Sequence, residues 1–305
     1  MEKHRKKLIK NAAVFDGHSS GLAQGKKIVI EDDIVTEITA DEVSEENFDE
    51  VFDGTGMVAM PGMTDAHVHM GCLFAKGEFP VDYATVLTIA KCKDALMAGF
   101  TTFRDARSVS EGLKLAFDEG VLPGPRIYPC GAYISQTCGH GDSEYAHTYR
   151  DIQYRHPSST VLADGVPEII RAVREQFYRS ASHIKLMATE ILNRHEDIRL
   201  LFGTDMMITG PDYQVEQSED IRYYEKRFGT MRALRALTGT ANEVFALTTY
   251  QNPYPKGKIG VLEAGAFADL LLVDGDPTKR VSVLADTDHL RLIMKGGTVY
   301  KNTLC

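Results

Sequence analysis

An excess of basic residues, long apolar runs and paired cysteines are all missing from this sequence. The 305 residues contain 34 Lys and Arg against 43 Asp and Glu, a net charge of -9, which argues against a surface that neutralises nucleic-acid phosphates. No apolar run is long enough to cross a bilayer, and no apolar segment follows the basic start "MEKHRKK", so neither a signal peptide nor a membrane partner is expected. The five cysteines form no CxxC pair and are odd in number, which suits a reducing compartment. We therefore expect a cytoplasmic protein that binds neither nucleic acid nor membrane.

The two ends of the chain share a β-strand texture. Runs rich in Val and Ile, such as "KKIVIEDDIVTEI" near the start and "GKIGVLEAGAFADLLLVDGDP" near the end, are separated by Gly and Asp-Gly turn signals. We interpret residues 1–60 and 255–305 as one composite β-sandwich domain. The 43% hydrophobic content is ample for a large core together with this smaller domain.

The middle of the chain alternates between helical and strand periods. "VDYATVLTIAKCKDALMAGF" has helical spacing of apolar residues and is followed by a short strand, and the strands "RIYPCGAYIS" and "LLFGTD" are predicted further along. Alternating helices and strands favour an α/β fold with parallel strands. The prediction for residues 61–254 is a TIM-like (β/α)8 barrel domain.

A pair of histidines lies at the predicted carboxyl end of a strand, in "MPGMTDAHVHMG". Residues i and i+2 of a strand point to the same side, so His67 and His69 can reach one metal ion. The alternative is that both are ordinary hydrogen-bonded histidines. The position after an apolar run, where barrel enzymes place their sites, favours the metal interpretation.

Two further residues carry chemistry that would suit a metal site. Asp205 closes "LLFGTD" and is either a turn or N-cap carboxylate or a general base beside a metal-bound water. Lys185 lies in the apolar stretch "HIKLMAT". It is either an edge lysine with its head in solvent or a buried, deprotonated lysine able to take up carbon dioxide as a carbamate.

These motifs together resemble the amidohydrolase superfamily. "PGMTDAHVHM", "HIKLMAT", "LLFGTD" and the C-terminal "GKIGVLEAGAFADLLLVDGDP" occur in the order seen there, and "SQTCGHGD" is similar to the branch of imidazolonepropionase, metal-dependent prolidases and acyl-amino-acid hydrolases. The resemblance implies that His67 and His69 ligate one metal, that Lys185 as a carbamate bridges to a second, and that Asp205 ligates and shuttles protons. Zinc is the expected ion, although the ligands also suit manganese, iron or cobalt.

The chain departs from that family pattern between Lys185 and Asp205. The resemblance predicts two more histidines in this interval, on barrel strands 5 and 6, but only about twenty residues separate the two positions where roughly a hundred would be needed. His195 is the histidine in the interval and lies in a segment that reads as a helix end. A natural shortening, an engineered deletion or an omitted segment would each explain the gap. Open strand edges would then need cover, which favours a homo-oligomer, and the second ion would be weak or absent.

The remaining candidates concern substrate binding. His140 and Asp142 in "CGHGD" would orient a substrate, and Arg104 would bind its carboxylate, but a plain turn and a surface ion pair are the alternatives. Cys138 lacks a visible partner and is interpreted as an inert thiol. The function hypothesis is hydrolysis of a carbon–nitrogen bond in a small, dipeptide-like, acyl-amino-acid or cyclic-amide substrate by metal-activated water, with Asp205 as proton shuttle. The alternative is a catalytically inactive, metal-binding or oligomeric relic.

Overall fold

The computed structural model describes residues 4–70, 81–107, 111–137, 139, 141–142, 160–187, 199–207 and 213–304. Within these ranges the strands are β1 (Lys6–Lys10), β2 (Ala13–Val14), β3 (Lys27–Glu31), β4 (Ile34–Thr39), β5 (Glu50–Asp53), β6 (Val58–Pro61), β7 (Met63–His69), β8 (Phe100–Asp105), β9 (Arg126–Tyr128), β10 (Tyr133–Ser135), β11 (Thr160–Leu162), β12 (Leu186–Met187), β13 (Met206–Met207), β14 (Ala266–Phe267), β15 (Leu270–Val273), β16 (Leu290–Lys295) and β17 (Thr298–Asn302). The helices are α1 (Val81–Met97), α2 (Glu111–Asp118), α3 (Val166–Tyr178), α4 (Tyr213–Phe228), α5 (Thr230–Leu237) and α6 (Gly239–Phe245). None of these helices combines the length and the apolar character that a membrane crossing requires.

Two five-stranded sheets contain strands from both ends of the chain. Their orders are β14-β4-β3-β1-β5 and β17-β16-β15-β6-β2. One hydrophobic cluster joins them, with Ile28 and Ile30 from the first sheet packed with Leu270 and Leu272 from the second. The two sheets therefore form a β-sandwich, as the shared texture of the two chain ends predicts.

Strands β6 and β15 of the second sheet are buried on both faces. Alternate residues of β15 face the sandwich core, whereas Leu271 and Val273 belong to the larger core shared with the α/β part of the chain. This explains why "LLLV" is a continuous apolar run rather than an alternating one.

The α/β part consists of two parallel sheets in the described residues. Their orders are β13-β7-β8-β9 and β11-β10-β12, and every pairing within them is parallel. Helices α1, α2 and α3 alternate with these strands along the chain. The predicted α/β class is confirmed, but the described strands form no closed barrel, so the complete (β/α)8 barrel stays a prediction.

Two predicted strands differ from the structure. "RIYPCGAYIS" is divided into β9 and β10, which belong to different sheets, because Pro129 lacks a backbone donor and Gly131 adopts a left-handed φ of 68°. "LLFGTD" forms no strand: β13 begins at Met206, directly after Asp205, whose own φ is 55°. Left-handed residues break the extended backbone that a ladder requires.

Candidate metal centre

Strand β7 presents both histidines on one side of the sheet. His67 and His69 are half-buried at its carboxyl end, where Val68 between them is fully buried on the opposite side. Their ring centroids are 5.4 Å apart at an interplanar angle of 57°. The two-residue period of the strand thus brings the two imidazoles together, as predicted.

Residues 202–205 lie against this end of β7 and bring Asp205 to the imidazoles. The Ala66 N–H donates to the Phe202 carbonyl at 2.8 Å, and the Asp205 N–H donates to the His67 carbonyl at 2.7 Å. Gly203 permits this approach, since a Cβ there would lie 2.7 Å from the His67 Cβ. As a result, Asp205 Oδ1 lies 2.9 Å from the Nε2 atoms of both His67 and His69.

Lys185 reaches the same place from the neighbouring sheet. Its backbone carbonyl accepts from the Ile134 N–H on β10 at 2.9 Å, directly before β12. Its Nζ lies 3.0 Å from His67 Nε2. The structure therefore supports an inward-facing lysine rather than an edge lysine with its head in solvent.

The electrostatics of this cluster favour neutral imidazoles and a charged carboxylate. Burial, followed by the Lys185 charge, lowers the pKa of His67 to about 4 and also lowers the pKa of His69. Burial opposes ionisation of Asp205, but the hydrogen bond with His69 and the nearby positive charges keep its pKa below the ordinary value. At neutral pH the cluster offers two imidazole nitrogens and one carboxylate as electron-pair donors.

This donor set fits a divalent metal ion. One ligand atom from each of His67, His69 and Asp205 can be chosen so that all three lie within 4.8 Å of one another. Two imidazoles and a carboxylate are the donors of many catalytic zinc sites, which keep a further position for water. Lys185 Nζ, next to His67, is a fourth group at the same place.

Asp65 is a site residue whose role the sequence did not reveal. Its side chain is fully buried and accepts hydrogen bonds from the N–H and hydroxyl of Thr204, from the His67 N–H and from the Gln217 side chain. Burial raises its pKa to about 6, against the effect of these donors. The position of Asp65 two residues before His67 was the available signal, but Thr204 and Gln217, which donate to it, are distant in sequence.

His183 is a second residue that the sequence analysis passed over. It lies half-buried two positions before Lys185, with Nδ1 3.0 Å from the Ser182 hydroxyl. Burial, followed by the charge of Arg104, lowers its pKa to about 3, so the ring is neutral. The i, i+2 spacing from Lys185 was the signal that could have identified it.

The predicted substrate-binding residues have different outcomes. Arg104 is half-buried, donates to the Ala66 carbonyl at 3.3 Å and helps to lower the pKa of His67, so it lies beside the cluster. Asp142 lies in a turn and donates its N–H to the Gly139 carbonyl at 2.9 Å. His140, Cys138 and His195 lie outside the described residues.

Comparisons with known proteins agree with the geometry. A profile of the amidohydrolase family matches residues 58–197. The chain is 34% identical over 152 residues to an ochratoxinase of Aspergillus niger, a match that covers 43% of this chain and 31% of that protein. It is 27% identical over 176 residues to an imidazolonepropionase of Picrophilus torridus, covering 53% of this chain and 43% of the relative. The chain therefore spans less than half the length of these curated relatives.

A solved structure extends the likeness to almost the whole chain. The crystal structure of a prolidase complexed with N-methylphosphonate-L-proline has a TM-score of 0.83 at 22% identity, covering 97% of this chain and 100% of that chain. At this level of identity the likeness shows a common fold.

Proposed function

We infer that the chain belongs to the amidohydrolase superfamily, and on that premise we propose that it is a metal-dependent hydrolase of carbon–nitrogen bonds in small amide or dipeptide-like substrates. The observation that carries the proposal is the convergence of His67, His69, Lys185 and Asp205, which come from three separate stretches of the sequence. Perturbed ionisable groups that converge in this way are typical of active sites.

We propose that His67, His69 and Asp205 hold a divalent ion, zinc in the first instance, with Lys185 beside them. Such an ion supplies a Lewis acid that activates water and polarises the substrate carbonyl. The neutral imidazoles, kept so by burial and the Lys185 charge, are ready to coordinate without first losing a proton. Lys185 would first lose a proton from its ammonium group; its neutral Nζ would then take up carbon dioxide and release a second proton, giving a carbamate that would ligate a second ion.

Asp205 is proposed as the group that moves the proton. Its carboxylate is charged at neutral pH and is 73% exposed, so an attacking water can reach it. It would accept a proton from that water as the new carbon–oxygen bond forms, and would donate the proton to the departing nitrogen as the carbon–nitrogen bond breaks. The reaction then requires no covalent intermediate with the protein.

The substrate class is proposed from the charges beside the cluster and from the relatives' names. The Arg104 guanidinium beside His67 suits a substrate carboxylate, as found in acyl-amino acids and dipeptides. An ochratoxinase and a prolidase are among the proteins that this chain resembles. His140 and Asp142 are retained as proposed contacts that orient the substrate.

The arrangement of the whole chain is part of the same proposal. Residues 1–60 and 255–305 would form the sandwich domain and residues 61–254 the hydrolase domain, built on the plan of a (β/α)8 barrel that lacks strands. Contacts between copies of the chain would cover the open strand edges, giving a cytoplasmic homo-oligomer.

Metal content and hydrolysis test the proposal together. We expect the purified chain to bind zinc and to hydrolyse members of a panel of acyl-amino acids and Xaa-Pro dipeptides, with loss of activity on chelation. Asp205→Asn should abolish turnover, whereas Asp41→Asn, at an exposed aspartate in a loop of the sandwich, is the matched control. Unchanged turnover in Asp205→Asn would refute the mechanism. A chain with neither bound metal nor hydrolysis would be the inactive relic.

A further inference from the structure

We propose that Asp65 is a positioning residue that holds Asp205 at the two imidazoles. This inference rests on the proposed metal site but concerns residues that do not touch the ion. Asp205 is a non-glycine residue with a left-handed φ of 55°. Such a conformation persists only where the surrounding contacts enforce it.

Asp65 accepts hydrogen bonds from three parts of the chain near Asp205. Its Oδ1 accepts from the N–H groups of His67 and Thr204, both at 3.2 Å. Its Oδ2 accepts from the Thr204 hydroxyl at 2.9 Å and from Gln217 Nε2 at 3.3 Å. The carboxylate thereby joins β7, the 202–205 segment and helix α4 at one buried point.

The chemistry of these contacts explains why the residue is an aspartate. All four of the groups described above donate to Asp65, and an ionised carboxylate has two oxygens that only accept. An asparagine would place an N–H₂ group where one pair of donors now points, and an apolar residue would leave every one of these donors without its acceptor. A fully buried carboxylate with four donors is therefore suited to fix backbone positions.

The consequence for the metal site is geometric. Thr204 precedes Asp205, so fixing both the N–H and the hydroxyl of Thr204 limits where the next Cα and its carboxylate can lie. The Asp205 N–H bond to the His67 carbonyl completes the placement. Outer groups that orient metal ligands in this way typically change metal affinity by about 10- to 100-fold when they are removed.

Threonine variants test the inference without removing the buried charge. Thr204→Val deletes the hydroxyl that donates to Asp65, and Thr204→Ser restores it. Thr64→Val is the matched control. The Thr64 hydroxyl is buried on β7, the strand that carries Asp65, and has no hydrogen-bond partner among the described residues. Thermal melts establish that each variant is folded before comparison.

Two measurements are made on each variant: the crystal structure of the metal-free protein, and zinc affinity by competition with a chelating dye. In wild type we expect Asp205 Oδ1 to lie between the two Nε2 atoms. In Thr204→Val we expect it displaced by more than about 0.5 Å and zinc bound about 10-fold more weakly. Thr204→Ser and Thr64→Val should resemble wild type in both measurements.

Three results would overturn the inference: an unmoved Asp205 in Thr204→Val, unchanged zinc affinity despite a displaced Asp205, or equal effects in Thr64→Val. A wild-type protein that binds no zinc would contradict the proposed function instead. The metal-free crystal structures would still decide whether Asp65 and Thr204 position Asp205, so the two failures are distinguishable.

Discussion

Asp269→Asn should destabilise the protein strongly. Asp269 belongs to the sandwich segment "GAFADLLLVDGDP" and is remote in sequence from His67, His69 and Asp205. Its carboxylate is 2% exposed and forms a two-point ion pair with Arg126, with distances of 2.8 Å from Nε to Oδ2 and 3.2 Å from Nη2 to Oδ1. The Gly296 N–H donates to Oδ1 as well, at 2.6 Å. Because Arg126 begins β9, this pair ties the sandwich to the α/β part.

The expected loss of unfolding free energy follows from the buried positive charges that Asp269→Asn leaves without a carboxylate. Asparagine retains an acceptor for Gly296 but removes the charge that balances Arg126 and the neighbouring buried Lys295. Breaking a buried ion pair from one side costs about 3 to 5 kcal/mol of unfolding free energy, since a charge is left without compensation. The Arg126 guanidinium, 3.8 Å above the Phe267 ring, would keep its aromatic contacts but lose the adjacent carboxylate.

Urea denaturation followed by circular dichroism measures the effect, with the midpoint and the slope reported separately. The double variant Arg126→Met with Asp269→Asn should recover much of the loss, because it removes both charges. Glu175→Gln, which breaks the exposed pair with Arg171 on α3, should change the unfolding free energy by less than about 1 kcal/mol. A loss in Asp269→Asn no larger than that of Glu175→Gln, or additive losses in the double variant, would refute the reasoning.

Two further predictions concern buried ionisable groups. Burial lowers the pKa of Lys295 to about 8, from 10.5 when unfolded. Between these pH values the unfolded chain therefore binds one more proton than the folded protein. The free energy of unfolding should rise by up to about 3 kcal/mol as the pH increases from 8 to 10.5. Urea midpoints across this range should show the rise in wild type and a smaller one in Lys295→Met; equal rises in both would contradict the assignment. Burial also raises the pKa of the Cys92 thiol, and Cys130 is buried too, so iodoacetamide should leave both unmodified in the native protein and alkylate both in urea. Alkylation of Cys92 in the native protein, detected by peptide mass spectrometry, would contradict the buried position of this thiol.

Several features of the fold and of the candidate site could be predicted from the sequence because they depend on local periodicity. The two-residue period of a strand places His67 and His69 on one side, and the structure has them there. The strand texture at both chain ends predicted a shared β-sandwich, and two sheets built from both ends are present. The alternation of helices and strands likewise predicted an α/β fold.

Other features depended on contacts between distant residues. Asp205 was expected at the end of a strand, but it lies before β13 because its φ is positive and residues 202–205 are held by β7 rather than by a ladder of their own. The division of "RIYPCGAYIS" at Pro129 and Gly131 was passed over as well. The conformation at Asp205 follows from tertiary neighbours, whereas the division at Pro129 and Gly131 had a local signal in these two residue types.

The sequence by itself determined the residue types, the strand and helix periods and the family resemblance, since these depend on the order of side chains along the chain. Only the tertiary structure decided that Lys185 faces His67, that Asp65 accepts from Thr204 and Gln217, and that burial keeps the imidazoles neutral. The physical reason is that hydrogen bonds, desolvation and charge interactions act across a few ångströms of space, whatever the distance along the chain.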